Sequence, residues 1–250
     1  MKKQVYYFAA WFVGITPVLS YAAVQLDIKT NNQNETFWSD GKHLHVQSGE
    51  DPAYILVYPD QRQLFTIDHA QKQVIDLSEK ITQAPTMPPP EEYSIEYIHH
   101  GAGPKILGFD TEFYLLKVNG EVCMSEYLSK SLNKLSDVIS SMELMTEYRI
   151  NTTFGNLPPQ LDLCFVAEHI AYQRYREHGF PLRTEDQFGK VQFELLKINE
   201  AADNPKENFK LPEGFTVITY EQMMESSNMI PLEPQGDMHP SEVIELMKKH

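Results

Sequence analysis

The stretch Tyr54-Ile55-Leu56-Val57-Tyr58-Pro59-Asp60-Gln61-Arg62-Gln63-Leu64-Phe65-Thr66-Ile67-Asp68-His69-Ala70-Gln71 decides the fold class. Two short apolar runs, rich in β-branched and aromatic residues, are separated by Pro59-Asp60-Gln61-Arg62, where proline pre-sets the backbone for a turn. The second run ends at another turn. Strands this short, joined by connections this short, pair antiparallel.

The same grammar extends in both directions. Upstream, Thr36-Phe37-Trp38 leads into Ser39-Asp40-Gly41-Lys42, where Asp-Gly suits a tight type I′ hairpin turn. Leu44 and Val46 then alternate with His43, His45 and Gln47, the period of a half-buried strand. Downstream comes Val74-Ile75-Asp76-Leu77, so Val24 to Leu77 reads as a β-meander. Pro85 and Pro88-Pro89-Pro90 exclude regular structure across Lys80 to Glu92, read as a surface crossing. Strands resume at Tyr93 to Ile98, Lys105 to Phe109 and Thr111 to Val118, with Gly101-Ala102-Gly103-Pro104 as a loop. Asn119-Gly120 signals a second hairpin, completed by Val122 to Leu128.

The period then changes. Leu132, Leu135, Val138, Ile139, Met142 and Met145 recur at three and four, predicting an amphipathic helix over Ser131 to Tyr148. Pro158-Pro159 opens a second helix, with Leu161, Phe165, Ile170, Tyr172 and Tyr175 along it and Gly179 and Pro181 as its stop. Strands return at Val191 to Ile198 and Phe215 to Thr219. Met223 to Pro240 reads as loose, and Ser241 to Lys249 as a short terminal helix. The expected architecture is α+β: one curved, open antiparallel sheet of about eight to ten strands with two helices packed on one face. It forms a single domain over 23–220, followed by a Met/Pro-rich tail over 221–250.

The first residues do not belong to that fold. Lys2 and Lys3 precede an uncharged run from Val5 to Leu19, and Ser20-Tyr21-Ala22 places small residues for cleavage before Ala23, the layout of a secretory signal peptide. The run is shorter than the roughly 20 residues a spanning helix needs, and no other segment is apolar and long enough to cross. The expected location is the periplasm of a Gram-negative bacterium, or the exterior. Cys123 and Cys164 agree with export, and an even, small number of cysteines there points to one disulfide. Two unpaired buried thiols are the alternative. The formal charge of −14 over 250 residues excludes a general nucleic-acid binder, which needs a basic footprint.

Several stretches in order resemble the DUF4412 group of exported bacterial proteins, distantly akin to the lipoprotein carrier LolA. They are Trp38-Ser39-Asp40-Gly41-Lys42 with the strand after it, Gly103-Pro104-Lys105-Ile106-Leu107-Gly108-Phe109, Gly120-Glu121-Val122-Cys123, and Phe209-Lys210-Leu211-Pro212-Glu213-Gly214-Phe215. The resemblance implies a half-barrel with helices against its concave face, and an apolar space between sheet and helices that lipid-binding relatives use for a ligand. It carries no catalytic residues.

The residues themselves offer little chemistry. His99 and His100 are adjacent on a strand and face opposite sides unless a bulge intervenes. Glu168-His169 and Glu177-His178 put their histidines on opposite faces of a helix, and with Arg174 and Arg176 they read as a solvated charged face. No G-x-S-x-G, C-x-x-C or phosphate-binding glycine loop is present. Met223, Met224, Met229, Met238 and Met247, with His239 and His250, are soft ligands at irregular spacing, more simply read as apolar cover. No metal or cofactor is expected. The expected function is a non-enzymatic exported protein, binding an apolar small molecule or lipid. Ile55, Val57, Leu64, Phe65, Phe113, Leu115, Leu135, Ile139 and Met142 are the candidate lining residues. The alternative is an envelope interaction protein docking a protein partner through a sheet edge or the Met-rich tail.

Overall fold

The computed structural model describes residues 23–31, 33–49, 51–82, 93–154, 163–170, 173–202 and 209–226. The signal segment, the proline run over 83–92, Pro158-Pro159, and the tail from residue 227 with its terminal helix lie outside them.

The meander folds as six strands: β1 (Ala23–Thr30), β2 (Gln33–Ser39), β3 (Leu44–Ser48), β4 (Ala53–Tyr58), β5 (Gln63–Asp68) and β6 (Gln73–Asp76). The second half adds β7 (Ile95–Ala102), β8 (Glu112–Val118), β9 (Glu121–Ser129), β10 (Phe180–Asp186), β11 (Val191–Ala202) and β12 (Thr216–Thr219). All belong to one unclosed sheet in the order β12-β6-β5-β4-β3-β2-β1-β11-β10-β9-β8-β7. The two halves meet where β1 pairs antiparallel with β11, Leu26 opposite Ile198 and Thr30 opposite Phe193. The sheet is larger than the eight to ten strands expected, and one pair is parallel, β12 against β6 with Val217 opposite Val74.

Turn chemistry explains most boundaries. Asn119 and Gly120 both take positive φ, 51° and 84°, as a type I′ turn requires. The Asp40-Gly41 turn departs from expectation. Ser39 pairs with Leu44, leaving a four-residue loop in which the Asp40 carboxylate accepts from the amides of Lys42 (2.9 Å) and His43 (2.7 Å). A short acidic side chain that bonds the backbone ahead of it stabilises this longer turn. Lys105 to Phe109 is no strand. Ile106 and Phe109 bridge across a tight turn, with Leu107 and Gly108 at positive φ.

The helices are α1 (Glu79–Thr82), α2 (Ser136–Phe154), α3 (Leu163–Ile170), α4 (Arg174–His178) and α5 (Tyr220–Ser226). The first predicted helix starts later than expected: Lys130–Leu135 is a tighter 3-10 turn, broken from helical geometry at Leu132. There Ser129 spends its hydroxyl on the Asp110 carbonyl (2.8 Å) instead of capping. The hydroxyl of Ser39 at the end of β2 instead donates to Asp137 in the first turn of α2. The second predicted helix divides into α3 and α4. Its stop signal opens β10, which the sequence reading missed. Gly179 has φ 121° and a Cβ there would come within 2.7 Å of the Ser129 carbonyl group, so only glycine fits. Pro181 is tolerated in an interior strand because the register shifts between it and Arg183.

One face of the sheet carries the main core. Leu26, Ile28, Phe37, Leu44, Val57, Leu64, Phe180 and Leu195 pack with Leu132, Leu135, Val138, Ile139 and Leu144 of the 3-10 turn and α2. At the other end α3 covers β8 and β9 through Leu116, Val118, Met124 and Ala167. The opposite face is not solvated over the meander, as the alternation around His45 suggested. Phe209 and Phe215, on the segment leading into β12, cover Leu56, Phe65, Ile67 and Val74, and the Tyr58 hydroxyl donates to the Phe209 carbonyl at 2.9 Å. His45 is therefore buried, stacked on Tyr54 with ring centroids 4.2 Å apart.

Candidate functional site

The structure does not gather the candidate lining residues into one space. Val57, Leu64, Leu135 and Ile139 are buried in the main core, with Ile55 and Met142 packed against it. A small opening of about 160 Å³ between β9, α2, α3 and α4 is bordered by Met142 with Met124, Arg174 and Tyr175. Phe65 belongs to the other face, beneath Phe209. Phe113 and Leu115 alternate with the buried Tyr114 and Leu116 along β8, so the pleat points them away from α3. Phe113 stacks on Tyr127 at 5.1 Å.

Cys123 and Cys164 form a disulfide, their Cα atoms 5.1 Å apart. Local strand irregularity positions the first of them. Leu116 faces Met124 and Lys117 faces Val122, so Cys123 is the extra residue of a bulge. A bulge re-aims a side chain, and here both Cys123 and Met124 join the cluster under α3.

A charged pair lies inside the same region. Glu126 of β9 is fully buried, and Arg174 of α4 is nearly so. Arg174 Nε donates to both carboxylate oxygens of Glu126, at 3.0 and 2.8 Å. Tyr97 of β7 (2.7 Å) and Tyr175 (2.9 Å) also donate to this carboxylate, and Arg174 Nη1 donates to the Glu168 carbonyl at 3.3 Å. Burial alone would raise the Glu126 carboxyl, but the Arg174 charge and these hydrogen bonds outweigh it and hold it below its ordinary value. Arg174 is thus not part of a solvated face, whereas Arg176 is 63% exposed. The available signal was Glu126 itself, a carboxylate in the buried register of an apolar strand, which demands a cation.

The histidines divide among other partners. His100 is the extra residue of a bulge in β7, since His99 faces Tyr114 and Gly101 faces Phe113. His99 Nε2 meets Glu112 at 2.5 Å, and His100 lies 5.9 Å from the Phe113 ring. His178 sits against Tyr97 and Tyr114, while the His169 side chain lies outside the described residues. Among the described residues no three of His, Cys, Asp or Glu come together to hold a metal ion. Met223 and Met224 fall on α5. The other tail methionines, His239 and His250 lie outside the description.

Open grooves occur elsewhere. One of about 420 Å³ runs between His45, Tyr54 and His69 and the covering segment Lys210–Glu213. Another, about 380 Å³, lies between α2, α4 and the turn at Pro59–Gln61, and is lined by Arg62, Glu143, Glu147 and Arg176. Glu143 is buried, its carboxyl raised by desolvation against the opposing pull of Arg176. It escaped the sequence reading because one acidic residue on a helix normally marks the solvent side.

Together these features define a mixed α+β protein built on one large open sheet with few helices. No helix among the described residues is long and apolar enough to cross a membrane, which says nothing of a β-barrel. No family model matches the chain, and no curated protein matches it. Among solved structures it is similar to a crystal structure of MucB, at 10% identity and a TM-score of 0.36, over 80% of this chain and 60% of that one. It is also similar to a chain in the complex structure of Pseudomonas aeruginosa MucA/MucB, at 11% identity and a TM-score of 0.34, over 80% and 59% respectively. The chain spans about three-fifths of the length of these solved chains.

Proposed function

We propose that this chain is an exported, non-enzymatic interaction protein of the cell envelope, which binds an extended segment of a partner protein by strand addition along β7. The observation that carries this reading is the state of the sheet edge. β7 runs for eight residues, Ile95–Ala102, with β8 on one side and no strand on the other among the described residues. An edge of that length offers a row of main-chain donors and acceptors to an incoming strand. The bulge at His100 ends the regular part, so Ile95 to His99 is the proposed docking stretch. The opposite edge, β12, has only four residues.

Export is supported by the signal-like N-terminus and by the disulfide, which persists in an oxidising compartment. The resemblance to the DUF4412 group implies the same location, and with it a half-barrel with helices against its concave face. An apolar ligand between sheet and helices has less support, because Val57, Leu64, Leu135 and Ile139 are buried together in the main core.

A photo-crosslinking residue placed at Glu96, with Phe188 on the β10–β11 turn as an exposed control, tests the reading in cells. The expected result is a discrete adduct from Glu96 alone, and protection of β7 amides from hydrogen exchange when the purified partner is added back. Adducts from both sites, adducts from neither, or protection confined to other strands would remove the strand-addition reading. Recovery of the uncleaved chain from the cytoplasm would remove export.

A further inference from the structure

The residues flanking β8 fix which way each backbone group of β7 points. Just before β8 the Thr111 carbonyl accepts from Gly103 N at 2.8 Å, and just after it Asn119 N donates to the Ser94 carbonyl at 2.9 Å. In an antiparallel pair the residues that bond one neighbour recur at every second position. Leu115 and Lys117 therefore bond β7 as well, and their opposite residues are Ile98 and Glu96. Ile95, Tyr97 and His99 turn their main-chain groups to the other side, where no strand lies among the described residues.

The charge beside these groups is one-sided. Glu96 is exposed on the outer face of β7. On the inner face Glu177 of α4 is 81% exposed and Glu112 of β8 is 40% exposed. Burial first, and then the charges of Glu112 and Glu177, raise the Tyr114 hydroxyl, so both carboxylates act where Tyr114 meets His99 and Tyr97. Lys117, opposite Glu96, is the sole lysine or arginine on β7 or β8. The two arginines of α4 are engaged elsewhere, Arg174 by Glu126 and Arg176 by Glu143. The whole chain carries a formal charge of −14. Such a field favours the approach of a cationic segment and opposes an anionic one.

We infer that the segment added to β7 is basic: an extended stretch of a partner protein in which lysine or arginine alternates with apolar residues, its main chain bonding Ile95, Tyr97 and His99. This rests on the strand-addition reading and supplies the chemistry of the partner.

The test titrates the disulfide-bonded chain at low ionic strength with capped Thr-Lys-Val-Lys-Val-Lys-Thr and with its counterparts carrying serine or glutamate in place of lysine. The basic peptide is expected to bind saturably and at least about tenfold more tightly than the neutral one, the acidic peptide not at all. Salt should narrow the gap. Glu96→Lys combined with Glu177→Lys changes two exposed side chains and should reverse the order of the basic and acidic peptides. In the free chain the amides of Ile95, Tyr97 and His99 should exchange faster than those of Glu96 and Ile98, and the basic peptide should protect them. Only one edge of an added strand faces β7, so N-methylation at the valine amides and at the lysine amides should differ, one abolishing binding and the other sparing it. Equal binding of all three peptides with that difference retained overturns the basic chemistry and leaves strand addition standing. Binding that survives both methylations removes strand addition, and the proposal with it. No saturable binding of the basic peptide overturns the proposal, and the adduct from Glu96 then decides strand addition separately.

Discussion

Arg174 and Glu126 face each other where their side chains keep 6% and 0% of their surface, and the guanidinium Nε reaches both carboxylate oxygens. With Tyr97, Tyr175 and the Glu168 carbonyl the pair ties β7, β9, α3 and α4 at one point. Removing one member leaves the other charge buried and unpaired. Arg174→Ala is therefore expected to cost about 3–5 kcal/mol. Arg62→Ala breaks the half-exposed pair with Glu147 and should cost at most about 1 kcal/mol. Urea unfolding of the two variants checks the ordering. Equal midpoints would mean that the buried pair carries no special weight.

The same cluster sets the pH dependence of stability. The folded Glu126 carboxyl lies below its ordinary value of 4.5, so its contribution is complete above that pH and is lost as pH falls through the lower folded value. Burial raises Tyr97 and Tyr175 above their ordinary 10.0. Their neutral forms are favoured in the folded state, so stability holds below pH 10 and falls as pH rises beyond it. Melting temperatures followed from pH 3 to 11 should show a plateau bounded by both declines, with the acid decline reduced in Glu126→Gln and the alkaline one in Tyr97→Phe. Wild-type slopes retained in both variants would refute this assignment.

The disulfide joins residues separated by 41 positions. Chain-entropy reasoning assigns such a loop about 4 kcal/mol, as an upper figure. Reduction, or the double change Cys123→Ser and Cys164→Ser, is expected to lower the denaturant midpoint and to loosen α3 first, since α3 packs on β8 and β9 beside the bridge. Hydrogen exchange in Leu163–Ile170 reads this out. Two alkylatable thiols in the exported native protein would refute the pairing.

Phe209 anchors the segment that covers the second face of the sheet. Its ring packs on Leu56, Phe65, Ile67 and Val74. Phe209→Ala should cost about 3–5 kcal/mol if the site cannot collapse. It should also speed amide exchange in Thr216–Thr219, the parallel strand that this segment delivers to β6. Unchanged exchange there would mean that β12 holds its place without the anchor.

Much of the fold was legible from local signals. Strands β1 to β9, β11 and β12 follow alternation and turn residues, and Asn119-Gly120 names its own turn. Strand β10 was hidden because Gly179 and Pro181 carry the same letters whether they end a helix or open a bulged strand. Their meaning depends on the Ser129 backbone packed against Gly179. The candidate lining residues were read as one apolar set. Phe65 cannot share a face with its neighbour Leu64, because successive strand residues point to opposite sides, and the same pleat turns Phe113 and Leu115 away from α3.

By itself the sequence determined the α+β class, the antiparallel meander, the place of the main helix, the acidic charge and the two cysteines that pair. Each depends on contacts between near neighbours or on composition. Only the tertiary structure decided that β1 pairs with β11, that β12 lies parallel to β6, that Arg174 is buried on Glu126, and that Glu143 is buried against Arg176. These are meetings of residues far apart in the chain. No local preference encodes them, since the same carboxylate is harmless in water and costly without a donor in the interior.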